Sequence, residues 1–110
     1  MAKILFNITN GTNNQTKASL GFMLARTAVE EGHEVLVFLN ADAVSLIRPP
    51  VLENLIGLGT GSLKEHFNVL KKARVPIYVS AISCEIRGVT AQDLKDSKAC
   101  LLYTSPSPRD

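Results

Sequence analysis

Two side chains in this chain stand at a spacing that could carry covalent chemistry: Cys84 and, three residues on, Arg87. The thiolate is the reactive form of cysteine, and a nearby cation stabilises it. Cys84 lies in the stretch Ala81–Val89, which follows a strand-like run and reads as a loop. A helix opening near Thr90 would add its positive end if the chain folds back towards it. The plainer reading of a lone cysteine is a small apolar group packed in a core.

A second candidate is Asn10, Gly11, Thr12 and Asn13, within Asn10-Gly-Thr-Asn-Asn-Gln-Thr16. This run leads from a strand into a helix N-terminus, where an anion is electrostatically welcome. It has neither the Gly-Lys-Ser/Thr of a P-loop nor the three-glycine dinucleotide fingerprint. As ordinary turn residues, they could simply make the turn and cap the helix. Gly57-Leu-Gly-Thr-Gly61 follows no strand directly, so it reads as a hinge between helices rather than a phosphate loop. His33 and His66 have no second ligand at metal spacing and read as surface histidines. There is no Gly-x-Ser-x-Gly elbow. Three Asn-x-Thr sequons, at Asn7, Asn10 and Asn14, carry no meaning without a secretory signal.

The elements that must position these residues follow from periodicity. Residues 3–9 are a short apolar run of strand formers. From Thr16 to Glu31, Ala18, Phe22, Ala25 and Val29 make a helical stripe, and Gly32 stands where a glycine ends a helix. Glu34–Leu39 is near-continuously apolar, as a strand buried on both faces would be. Residues 40–50 read as a loop closing on Pro49-Pro50, and residues 51–58 as a short amphipathic segment. Ser62-Leu-Lys-Glu65 has the form of a capping box. It opens a helix with Leu63, Phe67 and Leu70 on one face and Lys71, Lys72 and Arg74 at its negative end. Ile77–Ser80 is a third strand, and Thr90-Ala-Gln-Asp93 starts another helix. Strands alternating with helical crossovers predict an α/β sandwich with a parallel sheet and right-handed connections. Ligands of such sheets bind beyond the carboxyl ends of the strands. Here those ends are Asn7–Gln15, Asn40–Arg48 and Ser80–Gly88.

The chain has 110 residues, 45% of them hydrophobic, and 12 Lys+Arg against 10 Asp+Glu for a net charge of +2. That size supports one domain. The charge is too even for a nucleic-acid arm, and no basic run forms a patch. Mean hydropathy is +0.12, and no uncharged run approaches the length of a bilayer span. Met1-Ala2-Lys3 enters a strand directly, without a signal-peptide core, so a cytoplasmic location is expected.

Residues 100–110, Cys-Leu-Leu-Tyr-Thr-Ser-Pro-Ser-Pro-Arg-Asp, resemble, codon for codon, one reading frame of a transposase-type sequencing adaptor. On that reading residues 1–99 are the native, C-terminally truncated domain and residues 100–110 a non-native tail, excluded from functional reasoning. Cys84 is then the one native cysteine, which rules out an internal disulfide and suits a reducing compartment. Residues 99–104 are apolar and partly strand-forming. They are expected to lie beside the third strand as an edge strand, with residues 105–110 disordered.

Three stretches together carry a family resemblance: Lys3-Ile-Leu-Phe-Asn-Ile-Thr-Asn-Gly-Thr12, Gly32-His-Glu-Val-Leu-Val-Phe-Leu-Asn-Ala-Asp-Ala-Val44, and Val75-Pro-Ile-Tyr-Val-Ser-Ala-Ile-Ser-Cys-Glu-Ile-Arg-Gly-Val89. Their order and spacing resemble the DsrE/DsrF-like family, small α/β proteins associated with sulfur relay. The resemblance implies a three-layer α/β/α sandwich with a five-stranded parallel sheet in the order 4-3-2-1-5. It also implies homo-oligomers or assemblies with related subunits. Several members carry a cysteine at the end of the third strand, just before an Arg-Gly pair, and relay members hold sulfane sulfur there as a persulfide. Cys84 falls in that neighbourhood, while Ser80 stands where some relatives place the cysteine.

The leading expectation is a sulfur-carrier or sulfurtransferase-like protein. Its thiol at Cys84, assisted by Arg87, would have to be at least partly exposed to meet donor and acceptor proteins. The alternative is a non-catalytic module of the same fold, binding a small anion or nucleotide at Asn10–Asn13 or serving as an assembly subunit. A thiol redox sensor is a third option and would need a resolving cysteine from another chain. None of these readings calls for a cofactor, a metal, nucleic acid or a membrane.

Overall fold

The computed structural model describes residues 2–102. β1 (Lys3–Ile8) is followed by a 3-10 turn at Thr12–Asn14 and by α1 (Gln15–Glu30). The Asn14 side chain caps α1 by accepting the Lys17 N–H at 3.1 Å. The helix stops at Gly32, whose φ of +89° is a left-handed conformation that glycine adopts without steric cost. β2 (Glu34–Leu39) leads into a 3-10 segment at Ala41–Ile47 and then α2 (Pro49–Asn54). β3 (Ile56–Gly57) and β4 (Gly61–Ser62) form a small antiparallel hairpin. α3 (Leu63–Lys72), β5 (Ile77–Ser80), α4 (Ala81–Arg87), α5 (Ala91–Ser97) and β6 (Cys100–Leu102) complete the described chain.

The main sheet has the order β1-β2-β5-β6 with every pair parallel. Read from β6, this is the 4-3-2-1 part of the expected order, in an α/β sandwich. The fifth strand and second helical layer that the resemblance implies are not found among the described residues. Cys100–Leu102 pairs with Tyr78–Ser80 as the expected edge strand. The expectation for residues 103–110 lies outside the described residues.

The register places Ile4, Phe6, Ile8, Val35, Val37, Leu39, Ile77 and Val79 on one sheet face. There Val35, Val37, Leu39, Ile77 and Val79 are buried. A continuous row of helices covers them, because α1 packs on α3, α3 on α2, and α2 on α5. Phe22 and Phe67 meet between α1 and α3 with ring centroids 6.2 Å apart, and Leu63 and Leu70 are fully buried. Each such aliphatic side chain contributes about 1.5–3 kcal/mol by leaving water. On the other face Leu36, Phe38 and Tyr78 are only half-buried, and Leu5 is 61% exposed.

Four expectations are corrected. Residues 40–50 are no loop: Asn40 caps a 3-10 segment by accepting the Ala41 N–H, and the two prolines open α2, where a missing N–H costs nothing. The Gly57–Gly61 stretch is not a hinge between helices but the β3–β4 hairpin, pinned to α1 by a bond between the Thr60 and Ser19 hydroxyls. Ala81–Val89 is mostly helix. Ser80 caps α4 by accepting the Ser83 N–H, and Gly88, at φ +68°, ends it. His66 is buried, not at the surface. Its Nε2–H donates to the Thr60 carbonyl at 2.7 Å, and Nδ1 faces an Arg26 N–H at 3.5 Å. The Ser62 hydroxyl does accept the Glu65 N–H, but the complete reciprocal capping box belongs to Thr90 and Asp93.

Candidate functional site

The carboxyl ends of β1, β2 and β5 meet, as a parallel sheet with these crossovers requires. Gly11, after β1, lies so close to the turn after β2 that a Cβ there would clash with the Asp42 carbonyl oxygen and lie 2.8 Å from Ser45 Oγ. The turn after β2 is tied in turn to α4. Ser83 Oγ accepts the Ala41 N–H at 3.0 Å and donates to Asn40 Oδ1 at 3.0 Å. Asn40 Oδ1 also accepts the Ala41 N–H at 2.9 Å. Arg87 Nε, at the far end of α4, donates to Asp42 Oδ1 at 3.0 Å. Ala41 sits at φ +51°, a left-handed conformation that costs a residue with a Cβ about 1–2 kcal/mol.

Cys84 lies in the opening turns of α4 with 4% of its surface exposed. Burial pushes its thiol above the ordinary range, and the Asp93 carboxylate adds to the effect. Both influences favour the protonated form. Asp93 sits there because its carboxylate accepts the Thr90 N–H at 3.0 Å in the α5 cap, and it lies 3.7 Å from Arg48 Nε. Arg87 is therefore not the thiol's counter-ion in this arrangement; its guanidinium belongs to Asp42. The expected partial exposure of Cys84 is corrected too. The loop that would have presented it is a helix, and a helix in this position turns the thiol into the core. Cys100, in contrast, is exposed on β6.

Most of the Asn10–Asn13 polarity closes the turn on itself. The Gly11 N–H donates to Asn13 Oδ1 at 2.7 Å, Asn13 Nδ2 donates to Asn10 Oδ1 at 3.3 Å, and the Asn14 N–H reaches the Gly11 carbonyl at 3.1 Å. Of these four candidates, Thr12 alone lines the adjacent cleft of about 200 Å³, together with Gln15, Pro50, Val51, Asn54 and Leu55. Among the described residues no group of three or more His, Cys, Asp or Glu side chains could hold a metal ion. No described helix is long and apolar enough to cross a membrane.

Four residues of this region were not legible as site residues: Asn40, Asp42, Ser83 and Asp93. The Ser80-x-x-Ser83 spacing ahead of Arg87-Gly88 is a helix signature with a cap and a stop.

The DsrE/DsrF-like family model matches residues 2–106. The chain belongs to the DsrE/DsrF-like family. A search of curated proteins finds no match. Family membership accounts for the parallel sheet and for helical crossovers that bring three strand ends to one rim.

Proposed function

We propose that this chain is a sulfur-carrier or sulfurtransferase-like protein that holds a persulfide on Cys84. The observation that carries the reading is the position of Cys84, in the helix that leaves the carboxyl end of β5, in a member of a family associated with sulfur relay. In such a step the Cys84 thiolate attacks the outer sulfur of a donor persulfide. The S–S bond breaks, and the donor leaves as a thiolate. A partner thiolate then takes the outer sulfur from Cys84 in the same way, with no net oxidation or reduction. Arg87 is the nearest cation in sequence and would stabilise the thiolate once freed from Asp42.

The test is mass spectrometry after incubation with a protein persulfide donor, in a Cys100→Ser background so that the exposed thiol cannot take the sulfur. A single-sulfur increment is expected, and it disappears in Cys84→Ser. Equal uptake with and without Cys84 overturns the reading.

A second reading is favoured by one observation, the burial of Cys84 with its thiol held protonated. In it the protein is a non-catalytic binding or assembly module, and Cys84 is a packing residue. Native mass spectrometry separates the two: a co-purifying phosphate compound or a defined assembly without a persulfide favours the module.

A further inference from the structure

The joint between α4 and the turn after β2 has three features that belong together. Its polar contacts are the Ser83 bonds to Asn40 and Ala41 and the Arg87–Asp42 ion pair, added to the packing of α4 on the 3-10 segment. It holds Ala41 at φ +51°. And α4, which it fastens down, carries a thiol that is all but sealed from solvent. A residue held in an unfavourable backbone conformation persists only where its surroundings enforce it, and such residues gather at switch points. Here the enforcing contacts are those that hold α4 closed. Opening the joint would therefore release the constraint on Ala41 and expose Cys84 together. The ion pair is the part best able to part first, because both its side chains are substantially exposed to water and such pairs are weak.

We propose that Asn40–Asp42 and α4 form a strained clamp over Cys84, latched by Arg87–Asp42, and that local opening of this clamp is what admits a reagent or a sulfur donor to the thiol. Opening also frees the Arg87 guanidinium within the same helix as the thiol. As a gate on sulfur transfer, the clamp rests on the reading of Cys84 as the sulfur-bearing residue. As a gate on access, it stands on the contacts alone.

The two halves of the clamp give substitutions of opposite sign. In a Cys100→Ser background, the rate of Cys84 alkylation by iodoacetamide reads the population of the open form. Asp42→Asn loosens the latch and speeds labelling about two- to fivefold. Arg87→Gln does the same and serves where the first variant does not fold. Ala41→Gly removes the strain that favours opening, so labelling slows by about fivefold or more. Sub-denaturing urea leaves the rate nearly unchanged, since a local opening exposes little new surface. Rates unmoved by either kind of variant overturn the clamp. So does a steep urea dependence, which would mean that the thiol is reached by global unfolding. The persulfide assay, run on the same proteins, keeps the two readings apart. Labelling that follows the clamp without sulfur uptake overturns the proposed function alone, whereas uptake indifferent to these variants overturns the clamp alone.

Discussion

Gly11 should be among the least replaceable residues of the carboxyl rim, and the reason can be put in numbers. A methyl group at Gly11 would clash with the Asp42 carbonyl oxygen and lie 2.8 Å from Ser45 Oγ and 2.9 Å from the Asp42 carbonyl carbon. The oxygen cannot swing away freely, because it accepts the Ser45 hydroxyl at 2.8 Å. One of two backbone segments must move, which places Gly11→Ala with overpacking substitutions at about 1–3 kcal/mol. For a domain of this size that is a fall in Tm of at least about 4 °C, and more than 10 °C at the upper end. Gly21→Ala is the internal control. Its new methyl group would meet Ile8 Cδ1 at 2.9 Å, the free end of a side chain that can turn aside. Alanine in the interior of α1 also gains about 1 kcal/mol over glycine. The two effects offset, so Gly21→Ala stays within about 1 kcal/mol of the parent. Urea unfolding of parent and both variants decides the matter. If Gly11→Ala is as stable as the parent, or Gly21→Ala is the more damaging of the two, the close approach of the β1 and β2 loops is not as described.

Other outcomes follow from the same geometry. Because burial and Asp93 raise the Cys84 thiol, the unfolded chain, ionising near about 8.5, sheds its proton at a pH where the folded chain keeps it. This contribution to stability is complete below that pH and is lost as pH rises towards the folded-state value; in urea titrations Cys84→Ser removes the decline and Cys100→Ser leaves it. Asp93→Asn takes away the negative neighbour and moves the pH midpoint of Cys84 alkylation downwards; an unmoved midpoint would show that burial alone sets it. Thr90→Ala breaks the capping box that seats Asp93 and costs about 1 kcal/mol, again by urea unfolding. The half-bare sheet face, with Leu5 at its edge strand, makes the 110-residue chain aggregation-prone and broad in its melt. Static light scattering should rise with concentration and fall back in Leu5→Lys, and a monomeric, sharply melting chain would contradict this.

The sheet was readable because its strands are short apolar runs that helices interrupt, and parallel strands leave few other ways to connect. The errors came where a helix is too short to show a period. α4 spans two turns, and its two large apolar residues, Ile82 and Ile86, are exposed rather than part of a buried stripe, so Ser80 and Gly88 were its markers. His66 shows a different limit. It stands three residues after Leu63 and four before Leu70, on the buried face of α3, and its polarity masked that spacing; there its ring reaches the Thr60 carbonyl of the hairpin and faces Arg26 of α1. The thiol environment was harder still. The charges beside Cys84 come from Asp93, and the partner of Arg87 comes from Asp42, so local spacing suggested a pair that tertiary contacts reassign. Thr12 and its neighbours were correctly placed at a helix N-terminus, but a turn that consumes its own donors looks the same in sequence as one that offers them.

The order β1-β2-β5-β6 means that the chain winds across the sheet in one direction and never returns to an earlier strand. Lys3 pairs with Glu34, Val37 with Ile77 and Tyr78 with Cys100, so the loops that these pairings close differ in length by less than a factor of two. Closing the longest rather than the shortest costs only about 0.5 kcal/mol more in chain entropy. No pairing has an entropic head start, and the sequence of assembly falls to how much each unit can bury by itself. The β1–α1–β2 unit, with the longest helix and the longest strand ladder, is the natural nucleus. The later strands then add outwards, each on an edge that the one before it has prepared.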